Sequence, residues 1–384
     1  MSAFDFDTPV DRTGTHSSRW EKYAGRDVIP LWVADTDFRA PPVVLEALRR
    51  RVDHGVFGYT TPPPELRDLI VERMDRLYRW KVAPDWIVYV PGVVSALYMA
   101  ANRLTRPDEH LLIPAPVYYH IFRAAKFAPR EWTDVPMVLE AGRWVWDEER
   151  LAAAVRPGTR MLMLCNPHNP GGTIFTRPEL ERIAAFADKH DLLVVSDEIH
   201  CDLLLDRGKS HLPIASLSPS ACRRTVTLMA PSKTFNIAGI GLAYAIVEDK
   251  ALRESFSYDL KKTVHDASLM GYEASLAAYR GGEPWLQAQL EYLRGNRDLV
   301  ESTVARLPGV KTAHLEATYL SWIDCSGLGV SDPHALFLEH GLGLSPGADY
   351  GAPQFVRLNF GTQRSLLIRA LERFERAVLA AAAK

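Results

Sequence analysis

Lys233 follows the apolar run TVTLM (225–229) within Ala230-Pro231-Ser232-Lys233. A lysine fixed at the end of a buried strand can form a Schiff base if burial and neighbours lower its pKa. Most lysines so placed are solvated surface groups, so the segment alone decides little. Two other strand-like runs also end in polar groups. MLMLC (161–165) leads into Asn166-Pro167-His168-Asn169-Pro170-Gly171-Gly172, and LLVVS (192–196) into Asp197-Glu198-Ile199-His200. Asn166 and Asp197 are 31 residues apart and Asp197 and Lys233 are 36 apart, near the thirty-odd residues of a strand-helix-strand unit. Amide, carboxylate and amine can therefore converge at one edge of a sheet, where open α/β sheets place their ligands. A fourth junction, VPGVVSALYMA (90–100), sets Gly92 and small residues where a strand enters a helix. Free N–H groups and the helix dipole there would hold a phosphate. An amide for a ring oxygen, a carboxylate for a ring nitrogen, a Schiff-base lysine and a phosphate cradle are what pyridoxal 5'-phosphate requires.

The elements that must position these groups follow from periodicity. Pro41-Pro42 opens a helix that runs to His54-Gly55, with proline at the start and glycine at the stop. A turn-rich, proline-rich loop (57–64) leads into a second helix with Leu66, Leu69, Ile70, Met74 and Leu77 in register. Strands then alternate with helices: WIVYV and a helix from Val94, HLLIP and a helix over 119–127, MLMLC and a helix over 178–190, then LLVVS and TVTLM. Continuous apolar strands joined by helices describe a parallel sheet covered on both faces. Beyond residue 282 a long helix (284–307), the strand TYLSWID, a helix at 333–340, the strand FVRLNF and a helix from Arg364 read as a smaller α+β layer.

The chain has 384 residues, past the roughly 250–300 at which one core stops growing, so two domains are expected. The divisions are 40–281 for a large domain, and 1–39 with 282–384 for a small one, because the irregular amino-terminal arm cannot form a core alone. A net charge of −2 and the absence of a long basic run leave no nucleic-acid footprint. No apolar run is long enough to span a bilayer and no signal-peptide pattern opens the chain, so a cytoplasmic location is expected. The four cysteines, Cys165, Cys201, Cys222 and Cys325, lack CxxC spacing and read as reduced thiols, with no metal implied.

Taken together, WVADTDF (32–38), HGVFGYT (54–60), NPHNPGG (166–172), DEIHCDL (197–203) and APSKTFNIAG (230–239) resemble the fold-type I PLP enzymes of the class I/II aminotransferase superfamily. Within it they are most similar to the MalY/PatB-type cystathionine β-lyases, and the likeness covers essentially the whole chain. The resemblance implies an aminotransferase-like α/β fold, with a mostly parallel seven-stranded sheet between helices and a smaller α+β domain. It makes Lys233 the cofactor lysine, Asp197 the partner of the pyridinium nitrogen, and Asn169 the donor to the ring hydroxyl oxygen. Tyr118 would stack on the ring, and His200 would lie beside it. Gly92, Val93, Val94 and Ser232 would hold the phosphate, with Tyr59 reaching it from the second subunit of a homodimer. Arg357 would take the substrate α-carboxylate, with Ala34 and Asn169 alongside.

The chain also departs from the transaminase pattern. His200 stands where transaminases usually carry a tyrosine, and Gly241 where they often place a phosphate-binding arginine or lysine. GIGLAY (239–244) and NFGTQRS (359–365) differ from the usual lyase-like versions. The implied activity is carbon–sulfur β-elimination from cystathionine or another cysteine S-conjugate. Transamination, decarboxylative or oxidative deamination, and binding of a regulatory partner stay open.

Overall fold

The computed structural model describes residues 4–383, so residues 1–3 and 384 of the expected small domain lie outside the described residues. Its centre is a seven-stranded sheet in the order Ile87–Val90, Ala243–Ile246, Thr225–Met229, Leu193–Asp197, Thr159–Cys165, His110–Ala115 and Glu131–Pro136. Ala243–Ile246 is antiparallel to both its neighbours, and the pairings from Thr225–Met229 through Glu131–Pro136 are parallel. Every residue of Thr225–Met229 is buried, as expected of a strand covered on both faces.

The helices begin and end where local chemistry dictates. Pro42 opens the Pro42–His54 helix and Gly55 closes it in the left-handed region at φ 76°. Thr176 and Glu179 cap each other reciprocally at the start of Arg177–Lys189.

Register levels the strand ends. Cys165 lies opposite Asp197, and Asp197 opposite Leu228. The Asn166 N–H donates to the Asp197 carbonyl (2.9 Å) and the Glu198 N–H to the Leu228 carbonyl (2.8 Å). The three loops that carry Asn169, Glu198 and Lys233 thus leave the sheet side by side.

A second, antiparallel sheet orders Lys311–Thr312, Leu320–Asp324, Phe355–Asn359 and Ser345–Pro346. It sets Arg357 opposite both Trp322 and Ser345. Ile29–Pro30 pairs in parallel with Leu342–Gly343. Phe6, Ile29, Leu31 and Phe38 share one hydrophobic cluster with Leu320, Leu358, Leu367 and Phe374, so the arm's apolar side chains are buried against carboxy-terminal elements.

Several elements carry little sequence signal. The edge strand Glu131–Pro136 is EWTDVP, half polar and with only Val135 buried, as edges that must not pair further tend to be. The Leu269–Gly281 helix is small and apolar on more than one face and buries Gly271, Ala274, Ser275 and Ala278, so no amphipathic stripe marks it. Within the arm, Ser18–Glu21 is a short helix where the sequence reads as irregular. Among the described residues no helix is long and apolar enough to cross a membrane.

Candidate active site

Lys233 lies in the loop after Thr225–Met229, and its Nζ donates to the Ala34 carbonyl at 2.5 Å. Together with Asn236, Ala34, Asp35, Phe38 and Gly239 it lines a cavity of about 510 Å³. Burial is the main influence on the amine and lowers its pKa to about 8, with Asp35 and Asp197 opposing and Arg357 assisting. Asp197, 2% exposed, accepts the Ile199 N–H at 3.2 Å. Burial pushes its carboxyl up to about 7.

The segment WVADTDF forms the opposite wall, and side chains hold its carbonyls one by one. Arg357 Nη2 donates to Trp32 O (2.8 Å) and Ser345 Oγ to the same oxygen (2.7 Å). Asn359 Nδ2 spans Val33 O (2.5 Å) and Asp35 O (2.7 Å), and Asn236 Nδ2 spans Thr36 O (2.9 Å) and Phe38 O (2.7 Å). Gln363 takes Asp37 O at 2.8 Å. The acids of the segment are held by Arg12, which pairs with Asp35 (2.6 Å) and Asp37 (2.9 Å), and by the fully buried Arg19.

Arg357, 3% exposed, directs Nη1 to Asn169 Oδ1 at 3.0 Å. A guanidinium can only donate, so the amide must present its oxygen to Arg357 and turn its two N–H donors elsewhere, as a ring oxygen requires. Burial, followed by repulsion from Lys233 and Arg357, lowers His200 to about 3, so it is a neutral imidazole. Its Nδ1 is buried without a hydrogen-bond partner among the described residues, and so is Arg357 Nε.

Tyr118 is half-buried at the start of the Tyr119–Phe127 helix, with its ring 4.9 Å from Tyr119. Burial, then Tyr119, raises its hydroxyl, with Arg357 and Asp197 acting in opposite directions.

At the far end, Gly92 precedes the Val93–Arg103 helix, which no side chain caps. The first backbone bond of that helix runs from Ala96 N to Gly92 O at 3.1 Å, so the amides of Val93 and Val94 are unused by the helix and open to an anion. Ser232 is half-buried beside Lys233. Gly241 sits at φ 73°, and a Cβ there would lie 3.5 Å from the Pro91 carbonyl. A backbone in the left-handed region disfavours the arginine or lysine of transaminases at this position, and leaves amide and hydroxyl donors for a phosphate. The orphaned His200 nitrogen, the oriented Asn169 amide, the buried Asp197 and the open helix amides fit pyridoxal 5'-phosphate.

Residues 26–374 match the aminotransferase class I and II family. The chain belongs to that family. Among relatives, cystathionine β-lyase PatB of Bacillus subtilis (strain 168) is 38% identical and spans 97% of this chain and 100% of PatB. The crystal structure of OvoB is 47% identical and superposes with a TM-score of 0.96 over 98% of this chain and 99% of OvoB. Cystalysin from Treponema denticola, whose crystal structure contains a pyridoxal 5'-phosphate cofactor, is 30% identical, with a TM-score of 0.93 over 98% of this chain and 99% of cystalysin.

In this family member the structure brings together Lys233, Asp197, Asn169, Arg357, Ala34, His200 and Tyr118. Tyr59 is fully exposed on the single chain. Several side chains of the site carry no mark of their own in the sequence. Asn236 and Asn359 look like ordinary loop and strand asparagines until their carbonyl partners are known. His168, lowered to about 4 by burial, is neutral; its Nε2 must donate to Pro116 O (2.9 Å), leaving Nδ1 to accept the Gly171 N–H (3.2 Å). It thereby ties the Asn169 loop to the Tyr118 loop. Asn236, three residues beyond Lys233, lies within APSKTFNIAG and His168 within NPHNPGG, which is the signal each carried; Asn359 had none beyond its neighbours.

Proposed function

We propose that this chain is a pyridoxal 5'-phosphate-dependent carbon–sulfur β-lyase acting on cystathionine or another cysteine S-conjugate. The observation that carries the reading is the convergence of Lys233, Asp197, Asn169 and Arg357 at one sheet edge. Whole-length similarity to a cystathionine β-lyase supports the choice of elimination. Asp197 would face the ring nitrogen, Asn169 and His200 the ring oxygen, and Tyr118 the ring face. Gly92, Val93, Val94 and Ser232 would hold the phosphate. When bound, the cofactor supplies an electron-withdrawing ring that stabilises negative charge at the substrate Cα.

The chain's own groups do the rest. Arg357, on a buried strand, offers a planar fork that grips the α-carboxylate at two points. Lys233, its amine partly neutral near pH 8, takes the Cα proton as general base. The electron pair left at Cα forms the Cα–Cβ double bond as the Cβ–S bond breaks, and the sulfur leaves as thiolate. One water consumed overall balances the products: thiol, pyruvate and ammonia. The buried free cysteines suit a reducing, cytoplasmic setting.

The test is acceptor-free turnover. With a cysteine S-conjugate and no keto acid, thiol, pyruvate and ammonia should appear in equal amounts over many turnovers. An enzyme that stops after one equivalent and resumes only with added keto acid is an aminotransferase. Borohydride treatment of the loaded enzyme should fix the cofactor on Lys233, and attachment to another lysine would overturn that assignment.

A further inference from the structure

Tyr319 is 1% exposed, and its hydroxyl donates to the Ala34 carbonyl at 3.1 Å. That oxygen is the one that accepts Lys233 Nζ at 2.5 Å. A carbonyl has two lone pairs, so both donors bond at once, and each weakens the oxygen as acceptor for the other. The preceding residue, Thr318, is fully buried and held at φ 75°, a region that β-branched residues rarely occupy. Strain of that kind persists only where surrounding structure over-determines it, and it concentrates at functional positions. Here the Thr318 N–H is tied to Leu203 O (2.8 Å) and its Oγ1 accepts the Leu320 N–H (3.2 Å). The chain therefore enters the Leu320–Asp324 strand with Tyr319 directed at the arm. The Ala34 carbonyl is equally fixed, because Asn359 holds the carbonyls on either side of it.

We propose that Tyr319 and the Ala34 carbonyl form a docking point for the free amine of Lys233. Tyr319 is then a positioning residue that acts through the shared carbonyl, keeping that oxygen a weaker acceptor so that the docked amine stays unprotonated whenever the lysine is not joined to the cofactor. The proposal rests on the reading of Lys233 as base in the β-lyase reaction. The charged and titratable groups acting on Lys233 are Asp35 from the arm, Asp197 from the large sheet and Arg357 from the small sheet, with the neutral His200 beside them. Asp35 and Arg357 also act on the Tyr319 hydroxyl, so two substitutions that change the hydroxyl in opposite senses are needed to separate its effect from theirs.

The experiment measures Lys233 without cofactor or substrate. Cofactor-free protein is labelled across pH with a trace of acetic anhydride, and modification of the Lys233 peptide is read by mass spectrometry. Tyr319→Phe keeps the ring but removes the competing donor, which leaves Ala34 O a better acceptor for the ammonium and should raise the labelling midpoint by about half a pH unit. Site-specific 3-fluorotyrosine at 319, a stronger donor of nearly the same size, should lower it. In the loaded enzyme, below the midpoint, Tyr319→Phe should reduce kcat about threefold, the neutral amine lost to about half a pH unit, with KM within about twofold. Opposite shifts in the two proteins support the dock; no shift, or shifts of the same sign, overturn it. The fluorinated protein decides the matter alone if Tyr319→Phe does not fold. Because labelling uses no substrate, it is independent of whether the wild-type enzyme releases thiol, so a failed lyase assay and a failed dock are distinguishable.

Discussion

Burial acts in opposite directions on the two titratable groups at the sheet edge, raising Asp197 to about 7 and lowering Lys233 to about 8, because in each case the charged form loses its water. For Asp197 the folded value lies above the unfolded one. The neutral carboxyl therefore favours the fold at low pH, and that advantage is lost as pH rises from about 4 towards 7. Asp197→Asn in the cofactor-free chain should consequently gain on the wild type between pH 5 and pH 8, by at most about 4 kcal/mol. Calorimetric melting at the two pH values measures it, and a constant difference would show that Asp197 is already ionised at pH 5 in the folded chain, with no raised pKa. Arg357 makes a different demand, because two bonds from one planar group fix both Asn169 and the Trp32 carbonyl. Arg357→Ala should lower kcat/KM for cysteine S-conjugates by roughly 10²–10³-fold, the scale for unpairing a buried charge, and Arg357→Lys should restore little of it. Steady-state kinetics with unchanged kcat/KM would remove Arg357 from the substrate site.

At the scale of elements, the segment 32–38 is held by side chains where most strips are held by a ladder. Its partners lie 200 residues away at Asn236 and 326 away at Asn359. That is why it reads as irregular: no local periodicity records a bond to a distant amide. Asn359→Ala should leave Val33 O and Asp35 O short of donors, at a cost of about 1–3 kcal/mol for each unsatisfied group. Urea unfolding should show the loss, and limited proteolysis should cut more readily before residue 40. An unchanged urea midpoint would mean that water replaces the amide freely. The four residues Val56, Phe57, Gly58 and Tyr59 show the opposite condition, with Val56, Phe57 and Tyr59 all exposed despite their apolar character.

At the scale of the molecule, such an exposed aromatic cluster marks a surface that another protein covers. We propose a homodimer in which Tyr59 reaches the phosphate end of the partner's site, built on a large unit over 40–281 and a small one over 1–39 and 282–384. Sedimentation should give a dimer at working concentration. Mixing Tyr59→Phe and Lys233→Ala proteins should regenerate one intact site per mixed dimer, with activity rising above either parent. Fully active monomers would end the proposal.

What the sequence by itself determined were the features carried locally: apolar strand runs, proline and glycine at helix ends, and polar groups at strand ends about one unit apart. The alternation of strands with helices, the helix over 119–127 and the convergence of Asn169, Asp197 and Lys233 followed from these alone, because a parallel sheet turns regular spacing into adjacency. Tertiary structure decided what depended on distant partners. The pinning of residues 32–38, the orientation of the Asn169 amide, the orphaned nitrogen of His200 and the meeting of Tyr319 with Lys233 at one carbonyl each join residues whose separation in the chain carries no pattern. A hydrogen bond between such residues depends on directions fixed only once both sheets are packed against the arm.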